Sequence, residues 1–279
     1  MSELNISTNS CGPIVSFHPL VKGDFNFWAH TAVTEEVLAA LGQAKVVIWP
    51  QVFTKELYFY SQNIGLLLFP DYRVRFMFPG KGGQFLLFKA LGLPCPKTIY
   101  VPKIAAFGPH PATAKIDLPA FPFVLKSDAE HEGRGVFLVR DDRDFNNGLS
   151  YIKCREREGS FGFLIQEYIA SPYDLRVVVF GKNFYPFWRA CEDDFRTNLV
   201  QGGRKIPCPD ANLEEKALQI TAILCEKTGT NLAAIDFLID ERRGPLLNEI
   251  NFVFGRRLLG QKYEEFFFKA VKEFLADLS

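Results

Sequence analysis

Two apolar runs, residues 231–240 and 244–253, are separated by little more than Glu241, Arg242 and Arg243. Strand-forming segments so close in sequence pair as an antiparallel hairpin, which commits this part of the chain to a sheet. If residues 241–244 make a four-residue loop, the register sets Asp236 directly opposite Glu249. Cross-strand neighbours have Cβ atoms roughly 5 Å apart, where like charges repel, so something must offset the two carboxylates. Asp236 shares its strand face with Leu232, Ala234 and Leu238, which is not an ordinary solvated face, and Asn251 points to the same side as Glu249. Two carboxylates and an amide oxygen are hard ligands of the kind that hold Mg2+ together with water and phosphate oxygens. The same pattern also fits a hairpin edge with solvated acids in another register.

Upstream, the apolar runs 13–17, 44–49 and 65–69 have the look of short buried strands. Thr34 followed by Glu35 and Glu36 caps a helix carrying Val37, Leu38 and Leu41, and Thr54 opens a second at Lys55, giving a small α/β unit that ends near residue 78. Residues 81–92 read as a helix, and 93–122 hold seven prolines, which predicts an extended, loop-rich connection. Residues 121–126 and 135–140 read as strands around a polar loop, and 163–169 and 175–181 as a further pair around the turn 170–174. Residues 213–227 form a helix with Gly229 as its C-cap. In the last helix Tyr263, Phe266, Phe267, Ala270, Val271, Phe274 and Leu275 make one apolar stripe with the 3.6-residue period of a core-packing face.

Lys126 ends a strand before the loop that reaches Gly133, Arg134 and Gly135, and an ammonium beside free backbone N–H groups suits a phosphate; many surface hairpins look the same. Asp174 and Arg176 project to one strand face, where a mutual salt bridge is the plain expectation, and Arg189, Arg196 and Arg204 surround Asn198, Gly202 and Gly203 in a cationic, glycine-bearing stretch. Neither GxxxxGK[ST] nor GxGxxG occurs, which removes P-loop and dinucleotide folds. With 32 Lys+Arg against 32 Asp+Glu there is no chain-wide basic field for nucleic acid or a membrane surface. No apolar run reaches the roughly 20 residues of a membrane span, and the polar start lacks the pattern of a secretory signal, so a cytoplasmic protein is expected. The cysteines at 11, 95, 154, 191, 208 and 225 lack any zinc or redox spacing and read as reduced, mostly buried thiols.

Taken in order, Phe121-Pro-Phe-Val-Leu-Lys126, Gly133-Arg-Gly135, Ile165-Gln-Glu-Tyr-Ile169, Asp174-Leu-Arg176, Phe195-Arg-Thr-Asn198 with Gly202-Gly203, Ala234-Ile-Asp236 and Asn248-Glu-Ile-Asn251 resemble an ATP-grasp enzyme. The likeness is to the branch of ribosomal-protein glutamate ligases and glutathione synthetase-like carboxylate-amine ligases, and it covers about residues 81–279. It implies an α+β/α/β chain: a small α/β unit at 1–78, then an ATP-grasp domain at 79–279 whose lobes, about 79–165 with the glycine loop and 166–279 with the metal site, grip the nucleotide.

By the same resemblance Lys81, Lys126 and Arg134 meet the nucleotide phosphates, Glu167 and Tyr168 form the adenine hinge, and Asp174 lies near the ribose. Arg196, Thr197 and Asn198 line the nucleotide and acceptor site, Asp236, Glu249 and Asn251 hold one or two Mg2+ (or Mn2+), and Lys126 and Arg189 assist the chemistry. The implied activity is ATP-dependent joining of a small-molecule or peptide carboxylate to an amine through an acyl phosphate, with no nucleic acid or membrane partner and with a homo-oligomer admitted. A kinase of the same fold acting on a hydroxyl, and a non-catalytic ATP-binding regulator, are the alternatives. Two departures stand out: Phe252, Val253 and Phe254 follow Asn251 where the family has small residues and proline, which should reshape the acceptor pocket, and Asp128, Glu130, His131 and Glu132 fill the glycine loop.

Overall fold

The computed structural model describes residues 3–6, 12–107, 116–128, 130, 134–190 and 204–278. The first part builds on a parallel sheet. Strands β1 (Leu4–Asn5) and β3 (Val21–Lys22) pair beside it, while β2 (Ile14–Ser16), β4 (Phe25–Asn26), β5 (Val46–Ile48) and β6 (Leu67–Phe69) form it in the order β4-β2-β5-β6. Helices α1 (Glu35–Gln43) and α2 (Lys55–Asn63) make the crossovers. Thr34 caps α1 by accepting from the Val37 N–H, as expected. Thr54 does stand before α2, but its hydroxyl donates to the Ala29 carbonyl instead of capping.

After α3 (Arg73–Met77) and α4 (Gly80–Ala90) comes a four-stranded antiparallel sheet, β7 (Thr98–Val101), β8 (Phe123–Ser127), β9 (Val136–Val139) and β10 (Phe163–Glu167), in the order β7-β10-β8-β9. Helix α5 (Asp142–Arg157) packs on it. Sequence reading missed α5 because its 16 residues carry two asparagines and a glycine and bury only Gly148 and Ile152. Gly148 is there for contact: a Cβ would meet Leu125 Cδ2 at 2.5 Å. The proline-rich connection holds β7, also unread, because its four residues lie among prolines.

The third sheet is antiparallel, made of β11 (Tyr173–Phe180), β12 (Asn183–Ala190), β13 (Arg204–Ile206), β14 (Leu232–Asp240) and β15 (Gly244–Asn251) in the order β13-β12-β11-β14-β15. Helices α6 (Ala211–Thr228) and α7 (Lys262–Ala276) complete the chain. Here the expected pairing of 163–169 with 175–181 fails. The first is β10 of the second sheet, and the second is β11, which pairs with β12 and β14. Pro186 disguised β12 in the sequence; β13 pairs only with residues 188–190 of β12, so no neighbour on that side needs the missing N–H of Pro186.

One hydrophobic core joins the parallel sheet to the five-stranded sheet and α7, with Phe69 against Phe267 and Phe274 at 5.9 and 5.2 Å between ring centres. The four-stranded sheet and α5 keep a core of their own around Phe123, Leu125, Ile152 and Phe163. Among the described residues no helix is long and apolar enough to cross a membrane. Of the described cysteines, Cys154 and Cys208 are exposed and Cys95 and Cys225 half-buried, all free thiols, which corrects the expectation of mostly buried ones.

Candidate functional site

The hairpin of β14 and β15 sets Asp236 opposite Glu249, by a route the sequence did not announce. Asp240 pairs with Gly244, so the loop is three residues, which alone would slide Asp236 opposite Asn248. A β-bulge absorbs the extra residue: Asp236 pairs with Glu249, Phe237 with Leu247, and Asn248 is left between them. Bulges re-aim side chains, and here the Asn248 amide oxygen accepts from the Lys126 ammonium at 2.7 Å, tying the end of β8 to the five-stranded sheet.

Neighbouring strands supply the charge that offsets the facing acids. Arg176 on β11 lies opposite Asp236, and Asp174 opposite Arg189 on β12. Asp236 Oδ1 accepts from Arg176 Nε at 2.7 Å and from Arg189 at 3.0 Å; Oδ2 accepts from Arg176 at 2.6 Å and from Asn251 Nδ2 at 3.0 Å. A carboxylate has about four lone-pair sites, and all of them are filled. Burial alone would raise the Asp236 carboxyl, yet the guanidinium charges of Arg176 and Arg189 hold it below the ordinary carboxylate range. Arg189 is 2% exposed and also donates to both oxygens of Asp174, at 2.7 and 2.5 Å. Burial disfavours its charge, but Asp236 and Asp174 more than reverse this and raise it above the ordinary arginine value. The expected Asp174–Arg176 salt bridge gives way to two cross-strand pairs, and Arg189 is one of the two buried residues of β12.

Glu249 makes no hydrogen bond or ion pair among the described residues, although its charge favours the protonated form of Lys126. Burial, reinforced by the charge of Lys81, nevertheless lowers Lys126 to about 8. Lys81, in the first turn of α4, donates to the Glu130 carbonyl. Of the acids that crowd the glycine loop, Asp128 accepts from the Gly82 N–H at 2.6 Å, while Glu130 accepts from the Tyr151 hydroxyl and pairs with Arg155 at 3.1 Å; His131, Glu132 and Gly133 lie outside the described residues. Arg134 is exposed. Glu167 closes β10 with its carboxylate held by the Lys97 N–H and Arg243, both at 2.6 Å, and Tyr168, half-buried, begins the connection to β11. Arg196, Thr197 and Asn198 lie outside the described residues.

Glu249, Asn251 and Asp236 fit a magnesium ion as a donor set, being two carboxylates and an amide oxygen that phosphate and water oxygens would complete. Among the described residues no group of three or more His, Cys, Asp or Glu makes a metal site by itself. Asn251 donates its Nδ2 to Asp236, which leaves its oxygen for a ligand, whereas Asp236 ligates only after one guanidinium contact is exchanged. Sequence reading named Arg189 among the residues that assist the chemistry but not its strand or its partners; the alternation of Asp174 and Arg176 along β11 was the signal that a matching charged strand lay alongside.

The Lys126–Asn248 hydrogen bond thus ties the four-stranded antiparallel sheet to the five-stranded one, beside the strand positions of Asp236 and Glu249. The chain belongs to the RimK family, a RimK-like ATP-grasp domain matched over residues 88–262. The α-aminoadipate–LysW ligase LysX of Sulfurisphaera tokodaii is 29% identical over 159 residues, 56% of this chain and 54% of that one. β-Citrylglutamate synthase B of Mus musculus is 29% identical over 158 residues, 54% of this chain and 37% of that one. The chain thus spans about half or less of these curated relatives. In fold it is similar to a RimK-domain ATP-grasp protein from Sphaerobacter thermophilus (TM-score 0.61, 16% identity, 93% of this chain and 98% of that one). A D-alanine–D-alanine ligase from Helicobacter pylori is also similar, with TM-score 0.59, 17% identity and 82% and 71% coverage.

Proposed function

We propose that this protein is an ATP- and Mg2+-dependent carboxylate-amine ligase. The observation that carries the reading is the in-register set of Asp236, Glu249 and Asn251 on one sheet face, with the half-buried Lys126 reaching the same sheet through Asn248. The names of the relatives, a ligase and a synthase, support the class. In this reading residues 1–78 precede two lobes, 79–165 and 166–279, and the nucleotide lies between the lobes. Lys126 and Lys81 hold its phosphates, Glu167 and Tyr168 border the base, and Asp174, Arg196, Thr197 and Asn198 border the rest of the nucleotide and the acceptor. Bound magnesium supplies neutralisation of the charge that develops as the γ-phosphoryl group leaves. The substrate carboxylate takes the γ-phosphoryl group, giving an acyl phosphate and ADP; the amine then attacks the carbonyl carbon, phosphate departs, and the amine loses a proton. Arg189 acts as a positioning residue, because its guanidinium is held by Asp174 and Asp236 and fixes the latter.

The filled lone pairs of Asp236 favour a second reading, a nucleotide-binding regulator that does not turn over. One assay separates these and the kinase alternative: ADP release across a panel of carboxylic acids, with hydroxylamine as surrogate amine. Hydroxamate formation is expected. ADP release with hydroxyl substrates and no hydroxamate indicates the kinase, and nucleotide binding without any ADP release indicates the regulator.

A further inference from the structure

The parallel sheet has a switch point. From β2 the chain adds β4 on one side, and β5 and β6 lie on the other, so the crossovers leave β2 and β5 in opposite directions. Open α/β sheets bind ligands at the carboxyl ends of strands at such a point. A cavity of about 640 Å³ lies there, within the size range of small-molecule sites. Its wall includes Ser16 and His18 from the end of β2, the segment from Asn26 to His30 after β4, and Gln51 and Val52 after β5.

The far wall comes from the segment just past the proposed metal site. Phe254 is three residues beyond Asn251, which places its Cα at most about 11 Å away. Gln51 fastens this wall: its amide oxygen accepts from the Phe254 N–H at 2.9 Å and its Nε2 donates to the Tyr263 hydroxyl at 3.1 Å. Phe254, one of the two aromatic residues that set this chain apart after Asn251, is therefore part of the cavity wall.

The chemistry of the wall is one-sided. Lys22 and Arg256 line it, and among the described residues no aspartate or glutamate does. Among the described residues each cation has only a loose acidic neighbour, Glu3 at 3.8 Å from Lys22 and Glu264 at 3.6 Å from Arg256, longer than a hydrogen bond. Arg256 lies over the Tyr263 ring at 4.3 Å. His18 accepts from the Leu20 N–H through Nδ1, which puts the proton of the neutral ring on Nε2. Trp28, 70% exposed, and Val52, 53% exposed, give the mouth an apolar face.

We infer that this cavity is the acid-substrate pocket of the ligase proposed above, and that it selects an organic acid with a flat apolar body, its carboxylate held by Arg256 and Lys22 and its body lying on Trp28 and Phe254. The inference rests on the ligase reading only for the word substrate; the binding itself needs no nucleotide.

The test is calorimetry on the full chain without ATP, using 3-phenylpropionate, its uncharged amide and propionate. Phenylpropionate is expected to bind saturably, with the amide and propionate each about tenfold weaker or more. Arg256→Gln should weaken the acid and not the amide. Lys22→Gln, at an exposed side chain whose loss the fold tolerates, should do the same to a smaller degree, with circular dichroism checking both variants. Equal affinity for acid and amide, absence of saturable binding, or unchanged acid binding in both variants overturns the inference. Hydroxamate formation with other acids in the face of such a result would leave the ligase reading standing, and selective acid binding without hydroxamate would remove the ligase reading and keep the pocket.

Discussion

Lys126 ties two properties of this protein to one proton. Its ammonium is buried and lies near Lys81, which together lower it to about 8 against an ordinary 10.5, even with Glu249 and Asp236 drawing the other way. At pH 7 about nine-tenths of the protein carries the charge, and at pH 10 about one-hundredth does. A charged hydrogen bond to phosphate contributes about 1.5–3 kcal/mol, or roughly 10- to 150-fold in affinity. Titration of phosphate groups is complete well below pH 8, so between pH 8 and 10 the nucleotide stays constant while the lysine discharges. ATP-analogue affinity measured with Mg2+ should therefore fall by about tenfold per pH unit above 8, until it levels at the contribution of the neutral amine. Folding stability should move oppositely. The folded state binds this proton less tightly than the unfolded state, so the penalty is full below about 8 and is relieved as pH rises towards 10.5. In Lys126→Met the slope in affinity should vanish, with binding at pH 7.5 already weakened by the same roughly 10- to 150-fold. Calorimetry in two buffers of different ionisation enthalpy reads the linked proton directly. A flat wild-type profile, or an equal slope in Lys126→Met, would refute the phosphate role.

Three further outcomes follow from the same geometry. Glu249→Gln should keep the fold, since the side chain makes no hydrogen bond or ion pair among the described residues, and should lose the Mg2+-dependent gain in nucleotide affinity; calorimetry with and without Mg2+ measures it. Arg189→Met strips a buried partner from Asp174 and Asp236 and should cost about 3–5 kcal/mol in urea unfolding. Gly229→Ala should destabilise by about 1–2 kcal/mol, because the residue ends α6 at φ +73° and a Cβ would stand 3.0 Å from Asp71 Oδ2; thermal unfolding checks it.

What the sequence disclosed was governed by period and by charge. The stripe from Tyr263 to Leu275 and the opposition of Asp236 and Glu249 are local patterns, and both appear in the structure. The opposition depends on the bulge at Asn248, which no local pattern marks; a three-residue loop and a bulge leave the same register at Asp236 as the four-residue loop expected. The pairing of Asp174 with Arg189 was hidden because Pro186 masked β12 as a strand. Helix α5 was hidden because it buries so little. The cavity at the ends of β2 and β5 draws residues from positions 16 to 263, a convergence that sequence separation conceals.

The shared core has a consequence for what counts as one piece of this protein. The stretch that relates it to its family begins at residue 88, inside α4, and stops at 262, the first residue of α7. Yet Phe180 and Tyr185 of that stretch rest on Phe266, and Phe252 of it meets Tyr72, so the aromatic faces within the family stretch are closed by residues on either side of it. The family match and the folded core thus have different borders: the matched segment does not bury its own aromatic surface, and residues on both flanks are needed to close it.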